Sequence, residues 1–559
     1  MLFVTDCKKM KNSKNLITTL VLAGLIINFI AVGYVGLNYG RHWDEYYIFV
    51  GLKNQITGLT LLPSEYYYNS IYFYLADLVL LPTIIEYLPK IINEISIGAT
   101  APRAADYYPS VVALKETLLR MIATPEYVLN VRAVYLAVSS LTLLWVYKAV
   151  KLLCPSDRLA AIFAVCVMAG SWEFQYHTRW IAIDVIFVQF ASLTIYLLLL
   201  SSTQSDRLKK LLVIALAAVT AGLALSTKLT AVFLFVPVLF AAVQSVDRVK
   251  TKIYVALVSG FIFFTAFAVS TPGAILDPIK FFSQIAFVRY SYTYAYSWTG
   301  ISSYTYYTPN FISHIYEAFY WMIFIFPSTN IGFATVLSLL SIIGTYKLYN
   351  KNKYSFIYIF SFVIVYAGFV GSYHLLIIRN WLVLTPLFVI LMGVGFSALK
   401  EQLKSKIILR SVSSIAIVFI TFNFYQEWRF AISILDKNTD KNIAELTKYL
   451  TEHNLNKFIL SKKISSKEHF KSAGYHCTSA QELQTNVPYF LVGEEHDQAK
   501  WVANRSNLIK RSFGSIAVNY NYYPTWLGSL DEIRILEIDS ATADEIKIDI
   551  INYDFCIKN

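Results

Sequence analysis

Charge is what this sequence lacks most. Asp, Glu, Lys and Arg make up 15% of its 559 residues, where a soluble protein carries about 25%. With 56% hydrophobic residues and a mean hydropathy of +0.50, the chain has more apolar surface than a water-soluble fold can hide, and a bilayer can take it up. Cysteine is also sparse. Cys7, Cys154, Cys166, Cys477 and Cys556 form no CxxC and no metal-ligand spacing, which argues against a disulfide framework and a zinc site. Repeats of 20–50 residues and low-complexity tracts are missing too. Acidic residues are outnumbered, for a net charge of +12, but the basic ones sit in short clusters between apolar runs. That is the pattern of topology signals, and it argues against a nucleic-acid partner. What the chain has in excess is aromatic residues, 16% with 41 Tyr, and Tyr favours the membrane interface.

Apolar stretches occur near 16–37, 128–150, 157–170, 180–201, 210–226, 229–246, 253–271, 320–346, 354–372, 380–398 and 406–424, which predicts about eleven spans. Every second connection is basic: Lys9, Lys11 and Lys14; Lys148, Lys151 and Arg158; Arg207, Lys209 and Lys210; Arg248, Lys250 and Lys252; Lys347, Lys351 and Lys353; Lys400, Lys404 and Lys406. The positive-inside rule places these in the cytoplasm, so the N-terminus is expected inside and the tail outside. A cleaved signal peptide is the alternative for the first span, but its apolar run is longer than a usual signal core.

The expected architecture is therefore an α-helical polytopic membrane domain over 1–425 and a small extracytoplasmic α/β domain over 426–559. The tail reads as a helix at 438–454 followed by strands at 457–461, 488–492 and 533–537. A first outer loop covers 38–127, and its apolar segment 66–89 reads as helices on the membrane surface. A second outer loop, 272–319, is dense in Tyr. Tyr290, Tyr292, Tyr294 and Tyr296 would share one face if extended, and the loop can either cover a site or form an interfacial belt. Cys477 and Cys556 can pair in the tail, since an outer compartment permits it.

Polar residues gather at the outer ends of the spans. Asp44 and Glu45 follow the first, His177 and Arg179 precede the fourth, and Asp184 lies inside it. Lys228 separates the fifth and sixth, and Arg379 lies between the ninth and tenth. A charge within a span costs about 2.5–3.5 kcal/mol on insertion scales, so it usually faces a polar cavity or a partner. Plainer readings exist: a solvated cap for Asp44-Glu45, snorkelling for Arg179 and Arg379, a turn charge for Lys228. Arg132 lies at a depth similar to Asp184, and the two are expected to form a structural ion pair. His177 would share a face with Asp184 if the helix reached back that far.

The segments HWDEYY (42–47), YNSIYFYLADL (68–78), NVRAVYLAVSS (130–140), TRWIAIDV (178–185), AGLALSTKLTAVFLFVP (221–237), TPGAILDPIKFFSQIAFVRYSY (271–292) and IIRNWLVLTPLFVI (377–390) follow one another in order. In this the chain resembles the integral-membrane GT-C glycosyltransferases, in particular the family of protein O-mannosyltransferases and the lipid A aminoarabinose transferase. It departs from their pattern at Tyr67-Tyr68-Asn69, where paired prolines are usual. The resemblance implies a polyprenyl-phosphate sugar as donor, used on the outer face of the plasma (inner) membrane, with a glycan, lipid or protein as acceptor. It implies Asp44 as the catalytic carboxylate, taking the acceptor's proton as general base in an inverting transfer, with Glu45 as second catalytic candidate. A phosphate leaving group needs positive charge rather than a general acid. Lys228, Arg379, Arg179 and His177 are the expected donor-phosphate ligands, with Asp184 and Arg132 supporting. A divalent metal is compatible with Glu45 but nothing in the spacing requires one, and no other cofactor is called for. A transporter or flippase for a lipid-linked substrate is the alternative, although such proteins place charges near the midplane and often show paired halves. A ligase of whole lipid-linked glycans would use similar cations but not the Asp-Glu after the first span.

Overall fold

The computed structural model describes residues 2–38, 43–98, 108–294, 310–320, 322, 326, 328, 330–374, 376–403, 406–435, 439–455, 457–461, 474–479, 489–494, 509–513, 533–538 and 553–558. The chain divides into two units, one of Met1–Leu37, Asp44–Thr293 and Tyr306–Trp428, the other built mainly from Arg429–Asn559.

The first unit is helical. It begins with α1 (Leu2–Tyr34), α2 (Trp43–Gly58), α3 (Ser70–Asp77), α4 (Leu81–Gly98) and α5 (Pro109–Ile122). There follow α6 (Pro125–Leu153), α7 (Arg158–Ala169), α8 (Trp172–His177), α9 (Ile183–Ser202) and α10 (Arg207–Leu225). A 3-10 turn over Leu229–Leu234 leads into α11 (Phe235–Gln244), then α12 (Val249–Ser270), α13 (Gly273–Leu276), α14 (Pro278–Tyr294) and α15 (Phe311–Tyr320). After α16 (Ile331–Lys351) and α17 (Lys353–Val370), a second 3-10 turn, Ile378–Leu384, opens α18 (Thr385–Gln402), and α19 (Lys406–Leu435) ends the set.

Among the described residues eight helices are long and apolar enough to cross a membrane, or up to nine if the bent pair α3–α4 is one span. The eight fall on eight of the expected spans. The expected span at 157–170 is a 12-residue helix, about 18 Å long and well short of a 30 Å hydrocarbon core. All but three of its residues are buried among protein neighbours, so it need not match the bilayer. The expected span at 229–246 combines the first 3-10 turn with α11, together about 27 Å.

The α18 segment is the centre of the bundle, with 94% of its apolar window buried, whereas α12 has only 11% buried. Phe261 and Val269 on α12 are 72% and 76% exposed; such a face is stable only against lipid or a partner. The tightest helix crossing joins α16 to α18. A Cβ on Gly344 would stand 1.9 Å from the Leu391 carbonyl oxygen, and one on Gly395 1.9 Å from that of Leu340. Only glycine lets the two backbones approach this far.

The described parts of segments 66–89 and 272–319 are mostly helical. In 66–89, α3 and α4 meet at 75°. On α3, Ser70, Tyr72, Phe73 and Ala76 are buried, so this helix packs one side against the protein. In 272–319, Tyr290, Tyr292 and Tyr294 lie on helix α14. A helix repeats every 3.6 residues rather than every two, so this stretch is not the extended segment that the shared face required. Tyr296, Tyr304, Tyr306 and Tyr307 lie outside the described residues.

The second unit contains α20 (Thr439–Glu452) and strands β1 (Lys457–Ser461), β2 (Tyr475–Ser479), β3 (Tyr489–Glu494), β4 (Ile509–Phe513), β5 (Ile533–Ile538) and β6 (Tyr553–Lys558). They form one sheet in the order β2-β6-β1-β3-β5-β4. β1 and β3 are parallel and every other pair is antiparallel. Leu446 and Leu450, one turn apart on α20, are buried.

Candidate active site

The site forms where three helices are interrupted near their ends. The backbone breaks at 178–182 between α8 and α9, at 226–228 after α10, and at the 3-10 turn beginning at Ile378. Interrupted helices leave backbone polar groups without helical partners, and side chains converge on these breaks.

The first cluster is built on Glu45, in the first turn of α2. Its carboxylate accepts from Arg132 Nε at 2.8 Å and Nη2 at 2.6 Å, in a two-pronged pair. Arg132 Nη1 donates to the Leu37 carbonyl at 2.6 Å, and the Ile181 amide donates to Glu45 Oε1 at 3.0 Å. The guanidinium also lies 4.8 Å from the Trp180 ring centre. Both charged groups are buried, and these several hydrogen bonds are what a desolvated ion pair requires. The geometry makes Glu45 a clamp, joining the start of α2 to α6 and to the break before α9.

The expected Asp184–Arg132 pair is therefore not formed. Asp184 instead accepts from Lys228 Nζ at 2.5 Å, and its second oxygen lies 3.5 Å from Arg379 Nε. Lys228 Nζ also donates to Asn380 Oδ1 at 2.6 Å. Tyr366 holds this turn by donating its hydroxyl to the Asn380 carbonyl at 2.5 Å. The reason for the exchange of partners is the break after Lys228. Its extended backbone, φ −142° and ψ 132°, carries the chain from α10 into the 3-10 turn, and the side chain reaches Asp184. The Asp184 side chain is 3% exposed, those of Lys228 and Arg379 18% and 11%. The carboxylate thus sits at the closed end and the two cations toward the open one. Two cations thus converge on one buried carboxylate.

The α3 segment straps both clusters. Asn69 Nδ2 donates to the Leu225 carbonyl at 2.5 Å and the Ile71 amide to Ser226 O at 3.3 Å, beside Lys228. The Tyr72 hydroxyl donates to Ile181 O at 3.1 Å, and Tyr135 in turn to Tyr72 O at 2.6 Å. Asn69 and Tyr72 were not among the expected site residues. The available signal was the departure at Tyr67-Tyr68-Asn69, and Asn69 is the residue that docks the strap.

The remaining expected residues divide. His177 ends α8 and pairs through Nε2 with Glu173 at 2.9 Å. The helix does not continue to Asp184, so the shared helical face does not exist, although the charges of His177 and Asp184 lie close enough to interact. Arg179 is 1% exposed and donates to the Val32 carbonyl of α1 at 3.0 Å. It also lies near enough to the buried Glu427 of α19 to interact with it electrostatically. Asp44 is the second residue of α2, and its side chain lies outside the described residues. Among the described residues no group of three or more His, Cys, Asp or Glu could hold a metal ion.

The long apolar helices are those of a multi-pass membrane protein, and at their breaks a buried carboxylate meets two cations. Residues 119–271 match the family described as Dolichyl-phosphate-mannose-protein mannosyltransferase. That stretch includes Arg132, Asp184 and Lys228. Solved structures with a related course include ArnT from Cupriavidus metallidurans bound to undecaprenyl phosphate, at 10% identity and a TM-score of 0.46, covering 93% of this chain and 97% of that one. Another is the archaeal oligosaccharyltransferase AglB from Archaeoglobus fulgidus, in complex with an inhibitory peptide and a dolichol-phosphate. It shows 11% identity and a TM-score of 0.45, covering 78% of this chain and 58% of that one. No curated protein matches the chain.

Proposed function

We propose that this protein transfers a sugar from a polyprenyl-phosphate-linked donor to a hydroxyl of a glycan, lipid or protein acceptor on the outer face of the plasma membrane. The observation that carries the reading is the convergence of Lys228 and Arg379 on Asp184. A buried carboxylate holds the two cations in place, and their partly exposed ends offer positive charge to a phosphate. That is what departure of a lipid phosphate needs: its charge must be offset, and no proton has to be delivered. A glycoside hydrolase would instead need two carboxylates flanking the bond. Asp44 is the general base that accepts the proton of the attacking hydroxyl, and attack from the face opposite the phosphate inverts the anomeric centre. Glu45, engaged by Arg132 and the Ile181 amide, fixes the start of α2, and with it residue 44, on the loop that leads to Asp184. The family matched by 119–271 is itself described by a dolichyl-phosphate sugar. The alternating basic connections support an inside N-terminus and an outside C-terminal unit.

The test is the glycan profile of a deletion strain complemented with wild-type protein or Asp44→Asn. Wild type restores the missing sugar and Asp44→Asn does not, at equal protein level. Restoration by Asp44→Asn would remove Asp44 from catalysis.

A further inference from the structure

Two of the chain's five cysteines, Cys477 and Cys556, belong to the second unit. They lie on strands that pair antiparallel, β2 and β6, and the register sets Cys477 directly opposite Cys556. Facing residues of an antiparallel pair have Cα atoms about 5.5 Å apart at hydrogen-bonded positions and about 4.5 Å at the others. Both distances fall within the range of about 4.4–6.8 Å that a disulfide spans. Facing residues also share one face of a sheet. Among the described residues β2 stands at the edge of the sheet with β6 as its neighbour, so the β2–β6 ladder is what ties it in there.

We propose that Cys477 and Cys556 form a cross-strand disulfide that pins the edge strand β2 to β6. This rests on the outward placement of the second unit in the preceding reading, because cytoplasmic thiols are kept reduced. The two thiols lose two protons and two electrons as the S–S bond forms. The electrons pass to the disulfide of an extracytoplasmic thiol oxidoreductase, through a mixed disulfide, and that enzyme leaves as a dithiol. Cys154 and Cys166 are buried free thiols of the first unit. The cross-link closes a loop of about 80 residues and so restricts the unfolded chain. It also holds an edge strand against slipping or pairing with other chains.

The experiment uses full-length protein in intact cells and a membrane-impermeant maleimide, with label and linked peptides located by mass spectrometry. In wild type, a Cys477–Cys556 linked peptide is expected from the unreduced digest and is lost on reduction. The peptides carrying these cysteines gain at least tenfold in label after reduction. Cys477→Ser is expected to label at Cys556, and Cys556→Ser at Cys477, from outside without reduction. Absence of the linked peptide, with both cysteines labelled from outside in unreduced wild type, overturns the disulfide and leaves the orientation standing. Labelling of the single variants only after permeabilisation overturns the orientation, and the disulfide with it.

Discussion

Glu45 and Asp184 are both buried carboxylates, but one is closed and the other open. Glu45 is saturated by Arg132 and a backbone amide. Removing Arg132 takes a two-pronged partner from a buried carboxylate, so Arg132→Ala is expected to destabilise by about 3–5 kcal/mol. Adding Glu45→Gln should recover some of the loss, read as the melting temperature of detergent-solubilised protein. Asp184 holds cations that still reach outward. Lys228→Ala or Arg379→Ala is therefore expected to weaken use of the donor by about tenfold or more while the acceptor KM changes little. A defect confined to the acceptor would place these cations elsewhere. Asp44→Asn should reduce turnover by about 10²–10⁴, the usual worth of a general base, with normal donor binding. His314 on α15 lies beside Trp381, the two rings tilted at 44° with centres 5.8 Å apart. Burial lowers its pKa from 6.5 to about 4. Because the folded value is below the unfolded one, protonation favours unfolding. Stability should fall as pH drops from 6.5 toward 4, and His314→Gln should flatten that slope in melting curves.

At the scale of elements, the residue types at the site were legible but their pairing was not. Asp184 and Arg132 looked matched in depth, and depth along two spans is all that hydropathy yields. The partners were decided by helix breaks at 178–182 and 226–228, which bring the Ile181 amide to Glu45 and Lys228 to Asp184. The short helix α7 shows a related limit, since an apolar run reads the same whether it faces lipid or protein. The apolar run 66–89 reads as helices on the membrane surface, but that reading holds no sign of the hydrogen bonds by which the α3 segment reaches Leu225, Ser226 and Ile181. Tyr72→Phe removes one such bond, and Asn69→Ala another; each is expected to lower stability by about 1 kcal/mol and to reduce transfer by loosening the site. The α16–α18 crossing admits no such tolerance. Gly395→Leu must push the facing backbones away from each other, since even a Cβ would meet a carbonyl oxygen at 1.9 Å. A sharp fall in the yield of folded protein from membranes is expected.

At the scale of the molecule, hydropathy and the alternation of basic connections determined that this is a polytopic membrane protein, where its long helices run, and which ends of them carry polar residues. Those are one-dimensional properties, set by the transfer of each segment between water and lipid. The ordered motifs added a likeness to membrane glycosyltransferases. Only the tertiary structure decided which charges meet, that Glu45 clamps while Asp184 carries the cations, that α3 closes over both, and that Cys477 faces Cys556. These depend on helix breaks and strand register, which bring together residues far apart in the chain, and no local pattern encodes a partner that distant.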